Sequence, residues 1–233
     1  MPPSYSQIHE TEQQKQTLGK YLPVLTIDKV YDWIIQYRIH FKITRSRNSK
    51  LGDYRPLNKG KAHKITVNHD LNQYAFLITF VHEVAHLTAY EKYQNRVLPH
   101  GQEWKNEFKE LLVPFMTKHI FPDDVLAALS EYIQNPAASS CSDAHLLRTL
   151  RKYDKKKSSL ETILHVEDLP ENATFLYREK IFKKGKLLRK RYQCTELSSK
   201  RSYLFSPLAE VSPAVIPDKK GQIKIFWSAW LTP

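Results

Sequence analysis

Cysteine is nearly missing from this chain. Its 233 residues hold only Cys141 and Cys194, and there is no C-x-x-C pair. That excludes a disulfide framework and fits a reducing compartment. Also missing is any run of the ~20 apolar residues needed to span a bilayer. The most apolar stretch, around Phe76, is interrupted by His82 and Glu83. The opening MPPSYSQIHETEQQKQ is polar and has no apolar h-region of a secretory signal. Internal repeats and low-complexity tracts are lacking as well. These absences predict a soluble cytoplasmic protein with no membrane partner.

Acidic residues are scarce in two places. The net charge of +12 is the sum of +3 over residues 1–150 (18 Lys+Arg, 15 Asp+Glu) and +9 over residues 151–233 (18 against 9). Within the first part, residues 38–64 carry nine basic residues and one acid, Asp53. A polyanion is the partner such segments suit, nucleic acid first, through 38–64 and 151–201. Tyr54, Tyr177, Tyr192 and Tyr203 are interleaved there for base stacking. A solvated lysine-rich surface would read the same way.

At 41% hydrophobic and 12% aromatic, the chain has material for a real core. Residues 1–20 read as a flexible N-terminus. Residues 24–38 place Val24, Ile27, Val30, Tyr31, Ile34 and Ile35 at helical spacing. Phe41 and Ile43, then Ile65 and Val67, alternate as in strands. The polar stretch Arg47 to Lys61 between them reads as a mobile basic loop. A long helix from Asp70–Asn72 to about Tyr93 follows, then a second helix with Trp104, Phe108, Leu111, Leu112 and Phe115 on one face. Shorter helices are expected over 125–133 and 144–153, the latter capped from Ser139–Ser142. Beyond about 155 the pattern turns to β, with hairpin turns expected at Lys183–Lys186 and Ser198–Ser199. The expected fold class is α+β, in four parts: residues 1–20, a main domain over 21–155, a basic antiparallel β appendage over 156–210, and a tail over 211–233 containing Trp227 and Trp230.

The stretch that organises this scheme is Phe80-Val-His-Glu-Val-Ala-His-Leu87, an H-E-x-x-H sequence inside an apolar run. On a helix, at about 100° per residue, His82 and His86 lie about 40° apart on one face. Two imidazoles so placed can hold one Zn²⁺. Glu83 lies about 60° from His86, free to handle protons on water. The alternative is a buried amphipathic helix with two ordinary histidines. Burying two imidazoles and a carboxylate without partners costs several kcal/mol, however, on the scale of a domain's net stability. A bound cation offsets that cost.

Zinc catalysis needs a third protein ligand and one open position. The candidate is His100. The helix runs about seven residues past His86, roughly 10 Å, and seven residues of extended chain can return over ~23 Å. Gly101 would permit the sharp entry into the next helix. Glu103 and Glu107 are the fallback ligands, with Glu103 read more naturally as a group orienting an imidazole. Tyr90, Tyr93 and the basic loop are the candidates for stabilising a developing oxyanion.

HEVAH followed by HGQEW, with strands before and a short helix after, resembles the SprT-like family over about residues 24–115. Residues 116–210 are similar, more loosely, to its longer bacterial members. The resemblance implies a zincin-like metallopeptidase domain in which His82, His86 and His100 bind zinc and Glu83 is the catalytic acid/base. It further implies a protein or peptide substrate, DNA-associated or DNA-crosslinked protein among them. In such sites an edge strand can hold an extended peptide by main-chain pairing. Many members end in a four-cysteine zinc ribbon, and here Cys194 alone stands in the equivalent region, so the appendage must fold through its own core. The alternative reading is a nucleic-acid-binding module with a structural or vestigial metal site.

Overall fold

The computed structural model describes residues 5–47, 50–56, 62–136, 143–154, 164–214, 216–217 and 223–224. The fold is α+β, in two compact units, residues 1–156 and 157–233. Among the described residues no helix is long and apolar enough to cross a membrane.

The first unit opens with a helix, α1 (Tyr5–Gly19), where a flexible end was expected. Its last turn buries Leu18, and the following Leu22 is buried too. Apolar anchors at one end hold a helix whose remaining sequence is polar. α2 (Ile27–Gln36) follows a 3-10 turn at Val24–Thr26. Val30 and Trp33 are its buried positions, whereas Val24 and Ile35, expected on the packed face, are exposed.

Three strands make the small sheet: β1 (Ile39–Thr44), β2 (Gly52–Arg55) and β3 (His63–Asn68). The order is β1-β3-β2, with β1 parallel to β3 and β2 antiparallel to it. β2 corrects the expected loop over Arg47 to Lys61. Its Gly-Asp-Tyr-Arg-Pro sequence reads as a turn, yet an edge strand tolerates a glycine at its start and a proline just past its end.

α3 (Gln73–Tyr93) is the spine of the unit. Asn72 caps it, its side-chain oxygen accepting from the N–H groups of Tyr74 and Ala75 at 3.1 and 3.0 Å. The same side chain donates to the Leu150 carbonyl at 2.8 Å and to Asp154 at 2.6 Å. Fourteen of its residues are buried, on every side of the helix. α4 (Gln102–Leu112), α5 (Asp123–Tyr132) and α6 (Ala144–Arg151) complete the unit. α6 is capped by Asp143, which accepts from the Leu146 N–H at 2.8 Å; the expected cap at Ser139–Ser142, with Cys141, lies outside the described residues.

The second unit is a six-stranded antiparallel sheet, ordered β4-β9-β5-β6-β7-β8. The strands are β4 (Leu164–His165), β5 (Thr174–Tyr177), β6 (Lys180–Leu187), β7 (Tyr192–Glu196), β8 (Ser202–Phe205) and β9 (Glu210–Pro213). β10 (Ile216–Pro217) pairs with β11 (Ile223–Lys224). β9 carries the sheet past residue 210, where the tail was expected to begin. Trp227 and Trp230 lie outside the described residues. The core on one face contains Phe175, Phe182, Cys194, Phe205 and Val211.

The hairpin turn expected at Lys183–Lys186 is instead continuous strand, and the chain reverses over Leu188–Arg191. Two contacts explain why. The Lys184 ammonium is buried, donating to the carbonyls of Glu167 and Leu169 and lying 4.2 Å from the centre of the Tyr192 ring. Gly185 sits against the Gln193 carbonyl so closely that a Cβ would collide with it. Both needs are tertiary, so the local Lys-Lys-Gly-Lys sequence misleads.

Glu196 staples the turn after β7. Ser199, Lys180 and Ser198 all donate to its buried carboxylate, at 2.8, 3.1 and 2.9 Å, and hold its pKa down to about 2. A folded pKa below the unfolded value near 4.5 contributes stability above pH 4.5 that disappears as pH falls toward 2. Glu196→Gln should therefore lower the urea midpoint at pH 7, and the gap to the unaltered protein should narrow at pH 3. A gap that is the same at both pH values would remove Glu196 as its source.

Candidate metal centre

α3 brings the two H-E-x-x-H imidazoles to one face. The loop after it returns the third, as the distance arithmetic allows. The Nε2 atoms of His86 and His100 are 3.0 Å apart, and those of His100 and His82 are 3.2 Å apart. Among the described residues these three form the one cluster of His, Cys, Asp or Glu able to hold a metal, with their ligand atoms within 4.8 Å of one another. His100 itself takes the left-handed conformation, φ 60°. The sharp entry expected of Gly101 therefore belongs to the histidine, and Gly101 is the N-terminal cap residue of α4 with φ −67°.

The donor set fits a cation. Burial, with the neighbouring imidazoles, holds the His82 pKa down to about 2; burial and His100 hold His86 to about 4; burial lowers His100 as well. The rings are therefore neutral, the form that ligates. Three neutral rings presenting Nε2 to one another cannot all be satisfied by shared protons, since one N–H serves one acceptor well. A tetrahedral ion with Zn–N of about 2.1 Å would set its ligand atoms roughly 3.4 Å apart, close to the spacing seen.

Trp104 on α4 braces the cluster. Its indole centre lies 4.6, 5.4 and 4.7 Å from the rings of His82, His86 and His100, and it is almost wholly buried. The helical spacing assigns Trp104 only to an apolar face. Its position two residues after Gln102 in HGQEW was the available signal.

Glu83 is buried next to the cluster, and that burial pushes its pKa up to about 8. The Asp53 carboxylate acts in the same direction as burial; Arg47, Lys50 and the Tyr54 N–H, which donates to the Glu83 carboxylate, oppose it, and about 8 is the net of these. A dication beside it would favour the ionised form.

β2 supplies what the sequence did not reveal. Gly52 lies so near Glu83 that a Cβ there would come within 2.8 Å of Glu83 Cγ and of Thr79 Cγ2, and nearer still to Glu83 Oε1. The Tyr54 ring lies parallel to His86, 6.3 Å between centres and 5° between planes. Its hydroxyl, which burial keeps protonated, is 3.1 Å from His63 Nδ1 and shares a hydrogen bond with it. His63 in turn places Nε2 3.5 Å from Glu91. Of the expected oxyanion candidates, Tyr90 packs at 6.4 Å from Tyr54 and Tyr93 is exposed. Glu103 and Glu107 stay out of the cluster; Glu107 accepts from Lys92 at 2.7 Å.

Residues 24–118 match the SprT-like family, whose domains are zincin-like and associated with metalloprotease activity. No curated protein and no solved structure matches the chain.

Proposed function

With a SprT-like domain over residues 24–118 as the premise, we propose that the protein is a zinc-dependent endopeptidase. The observation that carries the reading is the convergence of three neutral imidazole nitrogens beside one buried carboxylate. His82, His86 and His100 would hold Zn²⁺. When bound, the ion would supply Lewis-acid polarisation of a peptide carbonyl and acidification of water. Glu83 takes a proton from the attacking water as its oxygen adds to the carbonyl carbon. It gives that proton to the leaving nitrogen as the C–N bond breaks, so the carboxylate is regenerated. The Tyr54 N–H fixes the Glu83 carboxylate, and Tyr54 flanks His86. Trp104 keeps the three rings aligned and water away from their rear.

The basic segments 38–64 and 151–201 favour DNA-associated proteins as substrates. A nucleic-acid-binding module with a structural metal is the second reading. Internal pairing weakens that reading for the first segment, since Lys50 and Arg55 both bind Asp53, at 2.7 and 3.0 Å.

One experiment separates the two: casein and histone cleavage with and without single-stranded DNA, with and without chelator, alongside zinc analysis. Cleavage abolished by chelator and restored by Zn²⁺ is the expected result, and His100→Ala should lose most of the bound zinc. Salt-sensitive DNA binding without cleavage in any arm favours the binding module. Full zinc content in His100→Ala removes His100 from the ligand set.

A further inference from the structure

The second unit has an edge unlike the rest of its sheet. β8 pairs with β7 on one side, and among the described residues nothing pairs with the other. Edge strands are ordinarily blunted by charge, proline or a bulge. Ser202-Tyr203-Leu204-Phe205 has no charge and no proline, and its register against β7 is regular over all four pairs.

Leu204 is 55% exposed and, with Leu188, Arg189, Lys190 and Arg191 of the β6–β7 reversal, lines a concave patch. Lys200 and Arg201 stand at the opposite end of β8. Between residues 183 and 201 there are eight Lys or Arg and one acid, Glu196, which is buried and paired with Lys180. The open edge therefore has cations at both ends, and at the Arg191 end they share the hollow with Leu188 and Leu204.

We propose that the open edge of β8 binds an extended acidic peptide segment of a partner protein. Its main chain would add as a strand, its apolar side chains would rest on Leu204 and Leu188, and its carboxylates would meet the flanking basic residues. A second copy of this chain fits poorly, because antiparallel self-pairing sets the Arg201 end of one β8 beside the Arg191 end of the other. Nucleic acid is also disfavoured. The one aromatic on the open strand with an exposed surface, Tyr203, is already engaged: its ring packs 5.5 Å from Phe182 and its hydroxyl bonds to Glu196. The hollow offers two leucines among its cations and no aromatic side chain on which a base could stack.

The test uses the full chain and a labelled ten-residue peptide of alternating glutamate and valine. Fluorescence anisotropy should show binding that weakens with salt. A lysine–valine peptide, and the glutamate–valine peptide N-methylated at alternate residues, should each bind at least tenfold more weakly. Amide exchange over 202–205 should slow when the glutamate–valine peptide is bound. Leu204→Glu changes an exposed position, so it should keep the fold, checked by circular dichroism, and still lose the binding tenfold or more. Arg189→Glu with Arg191→Glu should do the same. The proposal is overturned by no binding of the glutamate–valine peptide or by equal binding of its N-methylated form. It is equally overturned by protection of 202–205 by oligodeoxythymidylate in preference to the peptide, or by a dimer that Leu204→Glu dissociates. None of these outcomes depends on the zinc-peptidase reading.

Discussion

Glu83→Gln should leave the protein folded and zinc-loaded and reduce peptide cleavage by at least roughly 10²–10⁴-fold, the range general acid–base catalysis supplies. Glutamine has almost the same volume, and its amide oxygen can still accept the Tyr54 N–H now given to the carboxylate. It cannot take a proton from water. The change also removes the cost of a buried ionisable group, and Glu83 is buried with its pKa raised by that burial. Thermal stability should therefore hold or rise slightly. Zinc analysis, a melting curve and an initial-rate assay check the three parts together. Cleavage persisting near the unaltered rate would deny Glu83 the proton-transfer role. Lost zinc would mean that it helps hold the ion instead.

Gly52→Ala should be the glycine substitution most damaging to catalysis. The added Cβ would fall 2.8 Å from both Glu83 Cγ and Thr79 Cγ2, with the Glu83 Oε1 contact tighter still. Thr79 and Glu83 are on the buried spine helix and cannot retreat. β2 is an edge strand, so it is the part that must move, and moving it withdraws the Tyr54 N–H from the carboxylate. A displacement near 1 Å at a catalytic group costs on the order of 10²-fold in rate. The overpacking should cost about 1–3 kcal/mol in stability. Metal content should be unchanged, because the atoms the added Cβ meets first belong to Glu83 and Thr79, not to the three imidazoles. Steady-state kinetics with parallel zinc analysis tests this. An unaltered kcat/KM would show that β2 does not govern the position of Glu83.

These two experiments probe different sources of information. Glu83 announces itself in the sequence: a helix of fixed period puts His82, Glu83 and His86 in one relation whatever surrounds it, and Asn72 caps that helix as a local rule expects. His100 was reachable by chain length alone. Gly52, Tyr54 and Trp104 carry no such mark. Gly-Asp-Tyr-Arg-Pro has the composition of a turn, and it becomes a strand only because β3 offers it a partner. Lys184 shows the same limit in the second unit. A lysine beside a glycine signals a solvent-facing turn until the carbonyls of Glu167 and Leu169 and the Tyr192 ring are brought around its ammonium.

By itself the sequence determined the long apolar helix, the places of three histidines and a carboxylate on or just after it, the α+β character, and the antiparallel sheet of the C-terminal part. All of these follow from periodicities and spacings within one segment. Tertiary structure alone decided which strand covers Glu83, which indole backs the imidazoles, where the β6–β7 reversal falls, and that β8 is left open at the edge. Each of those depends on atoms far apart along the chain coming within a few ångströms, and no local pattern encodes such a distance.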